Sequence, residues 1–338
     1  MPAWISGKAN ANCSRTAHLM RNTRLRFRRG RSHCPVFDSR YLNQVRLMLR
    51  CLPEIARREC FALKGGTAIN LFVRDMPRIS VDIDLAYLPL KPRAEALSEI
   101  SGALRAIRQD VEARVEGCVV RETAAEGHTV KLQISGRDAV VVIEPNLVFR
   151  GAVFAPEKSE LAPSAQRQFE SYASISTLAF PDLYGSKICA ALDRQHPRDL
   201  FDVRRLLDEN GITAEVRRAF VVYLAGHARP MSELLAPRAQ DMAAVFRHQF
   251  LGMTREAVTL EELMAVQHQL AGRIRAALDE NEKAFLLSIK RGEPEWERLG
   301  ISHLRDLPAL QWKVINVRKM ARRKRAEALD KLARILGV

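Results

Sequence analysis

Residues 61–88 read FALKGGTAINLFVRDMPRISVDIDLAYL, one continuous unit that carries a glycine turn, a short helix and two spaced aspartates. Residues 61–63, Phe-Ala-Leu, have the character of the end of a short buried strand. Gly65-Gly66 then form a turn whose backbone can take positive φ and come close to a ligand. Thr67 is placed to cap a helix over residues 68–74. That helix directs unsatisfied N–H groups and the positive end of its dipole at the turn, an arrangement that holds phosphate. From Ser80 to Leu85 polar and apolar residues alternate with a period of two. A strand there buries Val81, Ile83 and Leu85 and sets Ser80, Asp82 and Asp84 on the opposite face. Two carboxylates on successive positions of one face can hold Mg²⁺ (or Mn²⁺), a hard cation that prefers oxygen ligands and keeps room for substrate phosphates. Gly65, Gly66 and Ser80 supply candidate phosphate donors.

With 15 Asp in 338 residues, an Asp-x-Asp pair arises by chance roughly 0.7 times, so the pair alone is no signature. The conjunction of a glycine turn, a helix start and a same-face acidic pair is the informative feature. On pattern alone its rival, a helix–strand connection with solvated aspartates, stays open.

Gly65-Gly66-Thr67 followed by Arg78-x-Ser80-x-Asp82-x-Asp84-Leu85 resembles the core of the AbiEii/AbiGii-type nucleotidyltransferase toxins, within the nucleotidyltransferase superfamily of the DNA polymerase β type. The family's second signature, a Lys on a helix and then Arg-Asp-x-x-Asp, is matched by Lys187 and by Arg198-Asp199-Leu200-Phe201-Asp202. The resemblance spans about residues 42–320. It implies an α+β fold: a minimal nucleotidyltransferase mixed sheet flanked by helices, followed by a mostly helical C-terminal domain. It also implies metal-dependent transfer of a nucleotide from an NTP to a hydroxyl acceptor, with pyrophosphate released. A toxin role in a toxin–antitoxin or phage-abortive-infection pair follows, with a cognate AbiEi-like antitoxin as partner and tRNA 3′ ends as acceptors in some relatives.

The superfamily further places a third carboxylate on a strand facing the acidic pair. Glu144, the lone acid in the run AVVVIEPNLVF (139–149), matches it by position. Such a carboxylate is costly in an apolar run unless it is paired or binds a cation. It would join Asp82 and Asp84 at the metal and take the acceptor's proton; alternatively it lies at a strand edge with its head in water. Lys187, on one helix face with Arg194, is the candidate phosphate contact, a point charge reaching the triphosphate. Asp199 and Asp202, three apart, share a face, and Asp202 orients Lys187 or receives the base or ribose. Arg198 joins the nucleotide-binding candidates; in the rival account Arg198 and Asp199 form only a surface ion pair.

The chain's length and 47% hydrophobic content allow a large core and favour two domains. A formal charge of +15 points to a polyanionic partner, nucleic acid before anionic lipid. No apolar run approaches the roughly 18 residues of a membrane span, and the amino end lacks the apolar core of a secretory signal, so a cytoplasmic protein is expected. Six cysteines without a Cys-x-x-Cys pair or a neighbouring His cluster argue against zinc and disulfides.

Residues 1–36 hold eight basic residues and no acid, which reads as a disordered basic tail, as sequence translated ahead of a true start at Met20, or as a transit peptide. The core domain is set at 37–170. Within it, helices are expected over 41–58 and 93–116, strands over 118–121, 129–135 and 138–148, and a loop over 151–167. A helical domain that closes over the nucleotide is set at 171–338. It ends in a second basic cluster, MARRKR (320–325), either a solvated helix face or a phosphate-backbone contact. Two further functions are weighed: an NTP- or GTP-binding regulator without transfer, and a basic nucleic-acid-binding protein with no nucleotide site. Transfer to a protein or small-molecule hydroxyl, including self-modification at Ser80, is the related enzymatic alternative.

Overall fold

Asp38 opens the first element: its side chain accepts the Arg40 N–H at 2.9 Å and caps α1, Ser39–Ala56. The computed structural model describes residues 37–338, so the readings of the segment 1–36 lie outside the described residues. β1 (Phe61–Lys64) runs straight into a short helix, α2 (Gly65–Ala68), which continues as a π-helical turn over Ile69–Val73. β2 (Ile83–Tyr87), the long helix α3 (Arg93–Arg114) and a meander of β3 (Val119–Ala125), β4 (His128–Ser135) and β5 (Val140–Asn146) follow.

The expected loop over 151–167 is corrected by the structure. β6 (Glu157–Glu160) and the start of α4 (Pro163–Phe169) fall within it, and β7 (Ser174–Thr177) comes next. The acidic strand is also shorter than its alternation suggests. Residues 77–79 hydrogen-bond instead to residues 253–255, through Ile79 N–H to Met253 O (2.7 Å) and Arg255 N–H to Pro77 O (2.9 Å). The period of two therefore persists from Ser80 while the backbone changes partner, and Asp82 lies just ahead of β2.

The seven strands form one mixed sheet in the order β3-β4-β5-β2-β1-β7-β6. β1 is antiparallel to β2 and sets Lys64 opposite Asp84; β2 is parallel to β5 and sets Asp84 opposite Glu144. Along β5 the residues Val141, Ile143 and Pro145 are buried, while Val142, Glu144 and Asn146 take the alternate face. α1 and α3 pack on each other and cover the sheet at β4, β5 and β7.

The remaining helices build the C-terminal part: α5 (Phe180–Arg194), α6 (Pro197–Glu209), α7 (Ala214–Gly226), α8 (Met231–Leu235), α9 (Ala243–Gln249), α10 (Leu260–Ala277), α11 (Glu280–Arg291), α12 (Pro308–Arg318) and α13 (Arg322–Leu336). α5 carries Lys187, and its placement rests on Asp182. This fully buried carboxylate accepts the Val153 and Phe154 N–H groups and the Tyr223 hydroxyl at 2.8, 2.9 and 2.8 Å, tying α5 to α7 and to the chain leaving β5. Among the described residues no helix is long and apolar enough to cross a membrane.

Candidate active site

The glycine turn sits where β1 becomes α2, and Gly65 has φ +70°, which other residues adopt only under strain. A Cβ on Gly65 would run into the Asp84 carboxylate, and one on Gly66 would stand 2.7 Å from both Arg78 Nη2 and Ser80 Oγ. The turn is thus closed by the acidic strand on one side and by Arg78 and Ser80 on the other. Thr67 does not cap the helix. It is buried, and its hydroxyl donates to the main-chain oxygen of Asp82 at 2.5 Å, fixing the segment that presents Asp82. The cap position falls on Lys64 and has no side-chain bond, because the helix starts at the glycine itself.

Beneath the turn lies a buried charge network. Arg78, 1% exposed, donates to Asp202 through Nε (2.7 Å) and Nη2 (2.5 Å), and Asn70 donates to the same carboxylate at 3.0 Å. The Lys187 ammonium stands between Asp199 (2.9 Å) and Asp202 (3.1 Å), and Arg194 closes the far side of Asp199 through two bonds of 2.6 and 3.1 Å. Burial alone would raise both carboxyls; the adjoining cations outweigh it and hold Asp199 and Asp202 below the usual carboxylate range. Arg198 does not pair with Asp199. His196 Nδ1 accepts the Arg198 N–H at the start of α6 (3.1 Å), and the guanidinium reaches Asp82 at 3.4 Å.

Asp82, Asp84 and Glu144 line one cleft of about 310 Å³ together with Gly66, Ser80 and Lys187. Asp82 is half exposed. The Asp84 carboxylate accepts no hydrogen bond from a described side chain or N–H, and burial pushes its pKa up against the opposing pull of Lys64. Glu144, beside Asp84 in register, is held by Lys131 at 2.7 Å with its head largely in solvent. Among the described residues no group of three or more His, Cys, Asp or Glu side chains is arranged to hold a metal ion. Asp82 and Asp84 nonetheless have the donor chemistry for one: hard oxygens, one of them unpartnered, beside a turn that admits no side chain. One or two carboxylates plus substrate phosphates is the usual Mg²⁺ set.

Asp84 and Glu144 also border a second, larger chamber of about 750 Å³, walled by Lys64, Phe149, Ser186 and Tyr223. Lys64, Lys131, Arg78 and Asn70 were not picked out as site residues from sequence. Arg78 stands within the quoted motif and Lys64 directly before the turn, whereas Lys131 and Asn70 are joined to the site only by tertiary pairing. The four described cysteines, Cys51, Cys60, Cys118 and Cys189, are free thiols.

The model of a family described as nucleotidyl transferase AbiEii toxin, type IV toxin–antitoxin system, matches residues 46–316. Among solved structures the fold is similar to that of MenT4, a nucleotidyltransferase toxin from Mycobacterium tuberculosis, with a TM-score of 0.51 over 86% of this chain and 92% of that chain. At 18% identity this likeness speaks for the fold alone. No curated protein matches the sequence.

Proposed function

The chain belongs to the AbiEii family of nucleotidyl transferase toxins of type IV toxin–antitoxin systems, and on that premise we propose that it transfers a nucleotide from an NTP to a hydroxyl of RNA, tRNA above all, in a metal-dependent reaction. The observation that carries this reading is Asp84: a carboxylate without a hydrogen-bond donor among the described residues, set against a turn where no side chain fits, in the lining of both a polar cleft and a larger chamber.

In this reading the triphosphate occupies the smaller cleft. Gly65 and Gly66 let the backbone come close, Ser80 offers a hydroxyl, and Lys187, Arg194 and Arg198 supply positive charge. Asp199 and Asp202 position the Lys187 ammonium, and Thr67 positions Asp82. Asp82 and Asp84 would hold a divalent cation, Mg²⁺ or Mn²⁺, which would supply Lewis acidity and offset developing charge. The acceptor oxygen attacks the α-phosphorus, the bond to the β-phosphate bridging oxygen breaks, and pyrophosphate leaves. Glu144, next to Asp84 on the neighbouring strand, takes the acceptor's proton once its head turns from Lys131. Residues 171–338 act as the half that closes over the nucleotide, and the physiological partner is an AbiEi-like antitoxin.

The test is transfer of label from each α-labelled NTP to tRNA by the full chain with Mg²⁺. We expect labelled tRNA, lost on chelation and reduced at least about a hundred-fold by Asp84→Asn. Nucleotide binding without labelled RNA overturns the proposal in favour of a regulator, and label appearing on the protein points to a protein hydroxyl.

A further inference from the structure

The larger chamber beside Asp84 shares a wall residue with a second cavity. Phe149 and Tyr223, whose rings stack with centroids 4.1 Å apart, form one side of it, and Asp193 at the C-terminal end of α5 closes it. Asp193 also lines a further cavity of about 430 Å³, bordered by residues 236–240 and by α13. One ion pair stands between the two spaces, Arg229 with Asp193 at 2.6 Å, and the same guanidinium meets Glu233 at 3.1 Å. A single guanidinium thus bridges both acids of that wall. Arg238 and Lys331, which face the further cavity, have no ion-pair partner among the described residues. α13 as a whole carries six Arg and Lys, of which, among the described residues, only Arg323 pairs, with Glu327 at 2.9 Å. Cations without an ion-pair partner among the described residues are thus gathered beside a cavity that shares Asp193 with the chamber at Asp84.

We propose that the acceptor RNA runs along these two adjoining cavities: the terminal nucleoside of a single-stranded 3′ end sits in the larger chamber against Leu147 and Val148, and the preceding phosphates pass over the Asp193–Arg229 pair to Arg238, Lys331 and Lys324. The proposal rests on the RNA-acceptor reading above and adds to it the surface and the direction of approach. At about 750 Å³ the chamber has room for a nucleoside, and Leu147 and the exposed Val148 in its lining offer the base apolar surface. Cations without a protein acid beside them give up no ion pair when they take a phosphate. Lys324 and Lys331, seven residues apart, lie on one face of α13 about 10 Å from each other along the axis, a span that an extended strand bridges. An acceptor hydroxyl on a small molecule would use the chamber alone and leave the outer cavity and its cations idle.

The experiment compares the full chain with its Arg238→Gln/Lys324→Gln/Lys331→Gln variant, three exposed side chains whose loss leaves the core intact, as equal melting curves will show. Binding of a labelled RNA with a single-stranded 3′ end is followed by anisotropy across a salt series. Three lost phosphate contacts lower the slope of log K against log salt by about 2, at roughly 0.7 per contact for a single strand. In transfer assays the loss appears as a raised KM for RNA. If the wild type binds RNA with a steep salt dependence and the variant matches it, the path is wrong and the RNA acceptor stands. If the wild type itself binds no RNA, both fall.

Discussion

Replacing Gly65 by Ala tests the site most directly, because one methyl group meets two separate physical costs there. The first is conformational: a φ of +70° costs an L-residue about 1–2 kcal/mol. In a chain of this size that lowers Tm by about 2 °C per kcal/mol. The second is steric, since the new Cβ collides with the Asp84 carboxylate, which has to turn or shift. A displacement of about 1 Å at a reacting centre costs on the order of a hundred-fold in rate. Gly127 separates the two. It has φ +77°, lies in the turn between β3 and β4, and offers an added Cβ open space. Gly127→Ala should therefore show a similar fall in Tm with wild-type transfer, while Gly65→Ala shows that fall together with a roughly hundred-fold loss of label incorporation. A Gly65→Ala enzyme as active as the wild type would refute the placement of Asp84 at the reacting centre. Equal losses of activity in the two variants would reduce the effect to backbone strain.

The buried network gives two more predictions. Arg78→Met leaves the Asp202 carboxylate without its bidentate partner in a buried setting and should cost about 3–5 kcal/mol by urea denaturation; Lys187→Met leaves Asp199 with Arg194 and Asp202 with Arg78, so it should cost less stability and show mainly as lost transfer, and equal destabilisation by both would contradict the network as drawn. Asp199 and Asp202 also set an acid limb: their folded pKa values are depressed, so the stability they contribute is full above the ordinary aspartate value near 3.9 and is lost as pH falls through the folded values. Urea midpoints of the wild type should decline below about pH 4, those of Asp199→Asn should decline less steeply, and parallel curves would count against the linkage.

What could be read from the chain alone was what local rules control. The left-handed turn at Gly65, the alternation that turns Asp84 and Glu144 away from Ile83, Leu85, Ile143 and Pro145, and the shared face of Asp199 and Asp202 all follow from residue type and spacing. β6 and β7 could not be read this way. Their sequences, EKSE and SIST, hold one strongly apolar residue between them, and they are strands because β7 finds β1 and β6 finds β7. A lysine-bearing, charged edge strand of this kind carries almost no signal of its own. Nor does spacing reveal that Arg78 meets Asp202 across 124 residues, or that Asp84 pairs in parallel register with Glu144. Thr67 shows the same limit on a small scale: a hydroxyl at a helix start reads as a cap until the chain folding back offers it a better acceptor, the main-chain oxygen of Asp82.

The charge balance of the cleft bears on what kind of nucleotide site this is. Although the chain carries a formal +15, the polar cleft is lined by five cations, Arg78, Lys131, Lys187, Arg194 and Arg198, and by four acids, Asp82, Asp84, Glu144 and Asp199. A site built only to retain a nucleotide would gain from basic side chains and lose from every uncompensated carboxylate facing the phosphates. Asp199 is accounted for by its hold on Lys187 and Arg194. Asp82 and Asp84 hold no such network together, since one is half exposed and the other accepts no hydrogen bond from the described residues, and burial disfavours its charged form. Two carboxylates that serve neither fold stability nor anion retention are costly features of a binding site. They become useful where a phosphoryl group must be transferred and its charge managed during the transfer. The acids that weaken the cleft as an anion trap are therefore the ones that favour an enzyme over a nucleotide-binding regulator.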